Sequence, residues 1–324
     1  MLTISQYQEE FLAYLEDYPF SSEPEGLYGP MHYILRVGGK RLRPVLTLLA
    51  ADIFGGDYKK ALDAALAIEV FHNFTLVHDD IMDDAPMRRG MPSVHEKWDL
   101  NTGILSGDVM LVKSYTLFER YAPELQVKLI RLFNKTAAEV CEGQQYDVDF
   151  ELRTDVTLQE YLRMIQYKTA VLVGAAMQMG ALIAGATEEE AKTIYDFGLH
   201  LGTAFQLQDD YLDAFGDEKT FGKQIGGDIM ENKKTFLYIT ALENLEEDDA
   251  DLLQNLYEIA PADTEEKIRT VKELFVSSGA TDKIREAIQE YTETAFGSIA
   301  SLSLDEKKKE VLLAFGRNLM NRKV

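Results

Sequence analysis

A chain of 324 residues with a formal net charge of -22 and a pI near 4.6 repels nucleic acid and anionic membrane surfaces, so neither is expected as its main partner. An apolar share of 46% supplies a sizeable core and excludes global disorder. A single cysteine, Cys141, excludes an intrachain disulfide and suits a reducing compartment.

From the N-terminus, MLTISQYQEEFLAYLED has no basic leader and no long apolar run, so no signal peptide is expected. No segment of the chain is apolar for long enough to predict a transmembrane helix, and the expected location is the cytoplasm. Capping-box pairs recur along the chain: Thr3 with Gln6, Thr157 with Glu160, Thr187 with Glu190, Asp263 with Glu266 and Ser303 with Glu306. The stretches they open carry apolar residues at three- and four-residue steps, as in Leu158, Tyr161, Leu162, Ile165 and Val171–Leu172. No alternating strand pattern leads into a turn dipeptide, and no βαβ rhythm occurs. Cys141 lies in the helical pattern AAEVCEGQQ and reads as packing. Glycine-rich breaks fall at 37–44 and 215–228, and the acidic stretch from about 245 to 324 reads as several shorter helices. No composition shift or repeat marks a boundary, so one all-α domain over 1–324 is expected.

The chemistry concentrates in FTLVHDDIMDDAPMRRG, residues 74 to 90. On a helix Asp79 and Asp83 share a face one turn apart, with Asp80 beside them, and Asp80 stands likewise to Asp84. Like charges at that spacing destabilise a helix by roughly 0.2–0.5 kcal/mol per pair unless a cation neutralises them. A solvated acidic face is the commoner explanation of a charge run. Here an apolar run (Ile68, Val70, Phe71, Phe74, Leu76, Val77) precedes the aspartates, which argues for a buried helix ending in carboxylates. FQLQDDYLDAFGD repeats the spacing with Asp209, Asp210 and Asp213 after another apolar stretch. Two such helices imply two carboxylate clusters facing each other across a cavity. Oxygen donors without Cys or His at ligand spacing suit Mg²⁺, which shares its shell with substrate phosphates. An EF-hand is excluded at DLNTGILSGDVM, which lacks the closing Glu.

Cations are grouped near these motifs and the glycine breaks: Lys40, Arg41 and Arg43 in GGKRLRP, Arg88 and Arg89 in MRRG, Lys168 beside Thr169 in YKTA, Lys223 in the second break, and Lys233 and Lys234 in NKKT. Each alone reads as a surface or capping charge; together they read as anion-binding groups. His72 lies two turns before Asp79 and can meet the same ligand. His78 abuts the cluster in an undefined direction, and His32, His95 and His200 read as ordinary core or surface residues.

The ordered series GGKRLRP, FHNFTLVHDDIMDDAPMRRG, GQQYD, YKTA, FQLQDDYLD, GKQIGGD and NKKT resembles the trans-isoprenyl diphosphate synthases, or polyprenyl synthetases, over roughly residues 25 to 240. The resemblance implies an isoprenoid-synthase helical bundle with a central cavity, acting as a homodimer. It implies an enzyme, a short-chain prenyltransferase that condenses isopentenyl diphosphate with an allylic diphosphate. Mg²⁺ would be held by Asp79, Asp83 and Asp209, with Asp80, Asp210 and Asp213 completing the clusters. Arg88, Lys168, Lys223 and Lys233, with Gln206 and Thr169, would meet the allylic diphosphate, whose loss leaves an allylic cation. Lys40, Arg43, His72 and Arg89 would hold isopentenyl diphosphate. Asn232 stands where many members carry Gly, Asp84 is a carboxylate beyond the motif, and Arg322 and Lys323 resemble a basic tail found in some members.

The same resemblance bears on product length. Phe74 and Thr75 lie five and four residues before Asp79, and Phe71 eight before it. In the family an aromatic at the fifth position alone, with no insertion in the motif, goes with geranylgeranyl products, and aromatics at both positions with farnesyl products. Geranylgeranyl diphosphate is therefore expected, with farnesyl diphosphate next. A class I terpene cyclase would carry an Asn/Asp–Ser/Thr–Glu triad in place of DDYLD and would not need a second diphosphate site. A non-catalytic subunit of a heteromeric synthase would lack one or both of the aspartate motifs, and both are intact here. An acidic ion-binding protein would have no use for the grouped cations.

Overall fold

A computed structural model of the protein describes residues 1–216, 225–259 and 264–321. The elements run α1 Ile4–Asp17, α2 Glu25–Arg36, α3 Leu42–Ile53, a 3-10 turn Tyr58–Ala61 leading into α4 Leu62–Met82, β1 Met87–Arg88, β2 Met91–Pro92, α5 Val94–Lys97 and α6 Leu100–Thr116. Then come α7 Pro123–Leu152, α8 Leu158–Ile165, a π turn Gln166–Ala170, α9 Val171–Ile183 and α10 Glu188–Phe215. The remainder is α11 Gly227–Met230, α12 Phe236–Asn244, α13 Glu247–Glu258, α14 Thr264–Ser277, α15 Ala280–Ala300 and α16 Glu306–Met320.

The fold is all-α, as expected, with one small exception. β1 and β2 form an antiparallel hairpin with Arg88 opposite Met91. Its two turn residues, Arg89 and Gly90, both have positive φ, 53° and 77°. That is the φ signature of a type I′ turn, whose twist matches the flanking strands. Two-residue strands carry no alternation, so the pattern reading missed them.

The capping boxes of α1 and α8 form as expected, with Thr3 and Thr157 accepting from the backbone of Gln6 and Glu160. Thr187 and Glu190 exchange the same bonds at the start of α10. The pair Ser303–Glu306 does not cap α16: Asp305 does, accepting from Lys308 N at 2.9 Å. A carboxylate directly before the first helical residue displaces the serine two positions earlier. Asp263 lies outside the described residues. Cys141 is exposed, so the packing reading of it is corrected; it stands on the solvent face of α7.

The chain divides into two compact units, the first from residues 1–135 with 175–195 and the second from 136–174 with 196–324. The first unit's core has Phe71 at its centre, edge-to-face with Phe133 at 5.1 Å, and Phe133 in turn contacts Phe118 and Tyr115. The second unit buries Tyr161, Ile165, Leu212, Phe236, Leu253, Phe275 and Ile284 in one cluster. No described helix is long and apolar enough to cross a membrane.

Candidate active site

In the first unit, α4 is buried along most of its length and ends at the aspartates. Its last turn closes with Ala85 N donating to Asp80 O at 2.9 Å and Asp83 N to Asp79 O. Asp84 is the left-handed residue of that cap, with φ 49°. Asp tolerates this conformation better than most residues, so Asp84 has a backbone reason to be there. Its carboxylate, that of Glu96 and the largely buried His95 ring come within 4.8 Å of one another, a group that the sequence reading passed over.

The four motif carboxylates differ in setting. Asp80 has no exposed surface; its Oδ1 accepts from Arg88 Nε at 2.8 Å and from a terminal nitrogen of the same guanidinium. Burial raises the Asp80 carboxyl, and the Arg88 contact works against that rise. Asp79 is partly exposed, 3.7 Å from Arg88, while Asp83 and Asp84 are exposed. His78 turns away from the cluster: its Nε2 meets the Ile104 carbonyl at 3.1 Å and its ring packs on Phe74.

Arginines gather around His72 in the same unit. Arg43 donates to His72 Nε2 at 3.2 Å, which requires the neutral, Nδ1-protonated ring. Burial first, then Arg43, Arg89, Arg88 and Arg41, hold His72 well below its ordinary pKa. Burial pulls the Arg43 guanidinium down to about 10; Glu69 opposes this and Arg89 adds to it. Among the described residues the buried Arg43 Nε finds no hydrogen-bond partner. Arg89 donates to the Gly38 carbonyl. Arg41, by contrast, is spent on structure. It is buried against Glu69 and the Leu35 carbonyl, and Glu69 also accepts from Asn73. Lys40 is exposed. A concentration of positive charge that keeps a histidine neutral is suited to an anion.

Below Asp79 on α4, Phe71 is fully buried and Phe74 nearly so, their rings 5.6 Å apart. Thr75 returns its hydroxyl to the His72 carbonyl at 2.8 Å.

In the second unit, a cavity of about 140 Å³ is lined by Asp147, Tyr161, Lys168, Thr169, Gln206, Asp210, Asp228, Lys233 and Lys234, among others. Lys168 and Thr169 sit on the π turn, the kind of local widening that recurs at functional sites. The turn presses on α7 at Gly143, where an added Cβ would come 2.2 Å from Lys168 N. Lys168 Nζ donates to Asp147 at 2.6 Å, and Thr169 Oγ1 to Gln206 Oε1 at 3.4 Å.

Asp210 is buried and accepts from the Tyr161 hydroxyl and from Gln206 Nε2 at 3.3 Å. Burial, then the charge of Asp228, lifts its carboxyl well above the usual range. Asp209 is half-buried beside it. Asp213 anchors the start of α11: its Oδ2 accepts from Asp228 N at 3.0 Å and its carbonyl from Gly226 N at 2.7 Å. Lys233 reaches Glu231 at 2.7 Å; burial lowers its pKa, but Glu231, Asp228 and Asp147 together hold it above the ordinary lysine value. Lys234 instead caps α7, donating to the carbonyls of Phe150 and Glu151. Asn232 has φ 58°, a left-handed position that glycine and asparagine both adopt, which explains why it stands where Gly is common.

Lys223, Arg322 and Lys323 lie outside the described residues. Asp147, Asp228 and Tyr161 also line this cavity, and the sequence reading assigns them no role. The first two stand in the quoted motifs GQQYD and GGD. Tyr161 is seven residues before Lys168, two turns along one helical face.

A family model described as polyprenyl synthetase matches residues 24–275. The chain is 42% identical to a geranylgeranyl pyrophosphate synthase of Geoglobus acetivorans over 283 residues, 87% of this chain and 86% of that protein. It is 40% identical to a geranylfarnesyl diphosphate synthase of Natronomonas pharaonis, over 82% of this chain and 81% of that protein. Among solved structures, a crystal structure of a geranylgeranyl pyrophosphate synthase superposes with a TM-score of 0.96 at 52% identity, each chain covered in full.

Proposed function

The chain belongs to the polyprenyl synthetase family and is a prenyltransferase, and on that premise we propose that it extends an allylic diphosphate with isopentenyl diphosphate to geranylgeranyl diphosphate. The observation that carries this reading is the pairing of carboxylate ends on α4 and α10 with two sets of cations, one of arginines about His72 and one of lysines about the second-unit cavity.

The donor set fits Mg²⁺. Asp79, Asp83 and Asp209 offer carboxylate oxygens only, and the Arg43 contact engages Nε2 of the neighbouring His72. Mg²⁺ held there with a diphosphate would draw off the negative charge that builds as the C–O bond breaks. Asp80 and Asp210, both buried and bonded to protein donors, are read as supports for the aspartates beside them, and Asp213 as the anchor of α11 at Asp228. Arg88, Lys168 and Lys233, joined by Thr169, Gln206 and Lys223, bind the allylic diphosphate. Lys168 and Lys233 exchange their carboxylate partners for its oxygens. Lys40, Arg43, Arg89 and His72 bind isopentenyl diphosphate and orient its double bond toward the cation. The departing diphosphate takes the proton lost after bond formation. No protein nucleophile takes part.

Phe74 limits the product by bulk, since overlap in a packed core costs about 1–3 kcal/mol. A homodimer is part of the same reading, and α6 leaves Leu105 and Val112 exposed, as a second copy would require. So is a cytoplasmic location, which the single cysteine suits. The purified protein, given isopentenyl and dimethylallyl diphosphates with Mg²⁺, is expected to accumulate the C20 diphosphate. The Phe74→Ala variant is expected to make longer products. A C15 end product, or an unchanged distribution in the variant, overturns the chain-length assignment.

A further inference from the structure

The two aspartate motifs are spelled alike, yet their middle aspartates are held differently. Asp80 is gripped by a cation, Arg88. Asp210 is gripped by two neutral donors, the Tyr161 hydroxyl on Oδ2 and the Gln206 amide on Oδ1. Both Tyr161 and Asp210 are buried, with 2% and 6% of their surface exposed. Gln206 stands on α10 one turn before Asp210, so its bond cannot fix that helix against anything else. Tyr161 stands on α8. Its hydroxyl ties Asp210, and with it the carboxylate turn of α10, directly to another element.

A second rung repeats the tie. Thr169 Oγ1 on the π turn donates to Gln206 Oε1 at 3.4 Å, and Gln206 passes its amide to Asp210. The ladder Tyr161–Asp210–Gln206–Thr169 thus joins the segment bearing Lys168 to the helical turn bearing Asp209. We propose that Tyr161 is a positioning residue for prenyl transfer: through Asp210 it sets the direction of Asp209 relative to Lys168, so that metal and lysine meet one diphosphate. The proposal rests on the function proposed above. Tyr161 acts through another residue, and groups in that place typically change metal affinity by about 10–100-fold when lost.

Tyr161→Phe keeps the ring in its packing and removes only the hydroxyl. Mg²⁺ binding in the presence of inorganic diphosphate is measured by calorimetry, without turnover. The variant is expected to bind Mg²⁺ roughly tenfold more weakly and to need about tenfold more Mg²⁺ for half-maximal activity, with kcat lowered about as much. KM for isopentenyl diphosphate should stay within about twofold, and far-UV circular dichroism should match the parent. Tyr238→Phe, a hydroxyl deletion at another buried tyrosine of the same unit, should leave Mg²⁺ binding as in the parent. If Tyr161→Phe lowers the thermal midpoint but leaves Mg²⁺ binding unchanged, the hydroxyl is structural and the proposal falls. It falls equally if the two variants weaken Mg²⁺ alike. A parent that binds Mg²⁺ with diphosphate, yet extends no prenyl chain, overturns the proposed function and leaves the positioning role readable from binding alone.

Discussion

The first unit works with arginine and the second with lysine, and the two kinds of cation are committed to different degrees. In the first unit Arg41 and Arg88 are locked to the buried carboxylates of Glu69 and Asp80. A guanidinium is planar, permanently charged and carries its donors in a rigid fork, so such buried pairs are fixed parts of the scaffold. In the second unit Lys168 lies on the partly exposed Asp147 at 2.6 Å and Lys233 on the exposed Glu231 at 2.7 Å. An ammonium on a flexible stem is a point charge that can leave one oxygen for another. Arg41 and Arg88 therefore hold a shape before any ligand arrives, while Lys168 and Lys233 wait on local acids that a diphosphate can replace.

The largest effect sets the scale for this contrast. Asp79→Ala and Asp209→Ala should each lower turnover by about a thousandfold with the fold intact, because each removes a group that acts on developing charge. Circular dichroism and a steady-state assay at saturating Mg²⁺ check this, and near-parental activity in either variant ends the two-motif reading.

Stability tests the contrast directly. Arg88→Ala leaves Asp80 buried without its cation and should cost about 3–5 kcal/mol in denaturant unfolding. Lys168→Ala leaves Asp147 to water and should cost less than about 1 kcal/mol. Equal losses in the two variants would break the distinction between committed and exchangeable cations.

Substrate kinetics sharpen it. Arg43→Ala and His72→Ala should raise KM for isopentenyl diphosphate about tenfold, the scale of a charged hydrogen bond, while KM for the allylic partner moves little. Lys168→Ala and Lys233→Ala should do the reverse, with kcat falling as well. The opposite partition in steady-state kinetics would interchange the two diphosphate sites.

The smallest effect concerns backbone shape. Asn232→Ala should be about 1 kcal/mol less stable than Asn232→Gly, because only the alanine carries a Cβ into the left-handed region. Both lose the bond that Asn232 Oδ1 accepts from Lys267. Thermal midpoints that order the two variants the other way would remove the conformational account of this position.

Much of this molecule was legible from spacing. Capping boxes and three-to-four-residue periodicity mark α1, α8 and α10, because helix ends and buried faces are local matters. The hairpin at Met87–Pro92 was not legible, since two-residue strands leave no period; only Arg89–Gly90 hints at a turn. Asp80 and Asp83 look equivalent in the sequence, and one is wholly buried while the other is exposed. Arg41 and Arg43 are two residues apart, yet one props Glu69 and the other faces His72.

What the sequence by itself determined is the inventory: an all-α chain, two DDxxD motifs, and cations placed beside its glycine breaks. These follow from side-chain chemistry and from a helical period short enough to read within one segment. What only the tertiary structure decided is allocation. The carboxylate that receives Arg88, the helix from which Tyr161 reaches Asp210, and the carbonyls that Lys234 caps all depend on residues from 8 to 84 positions apart. Such pairings are set by how buried surfaces pack and by the cost of leaving a buried polar group without a partner, and no local pattern encodes either.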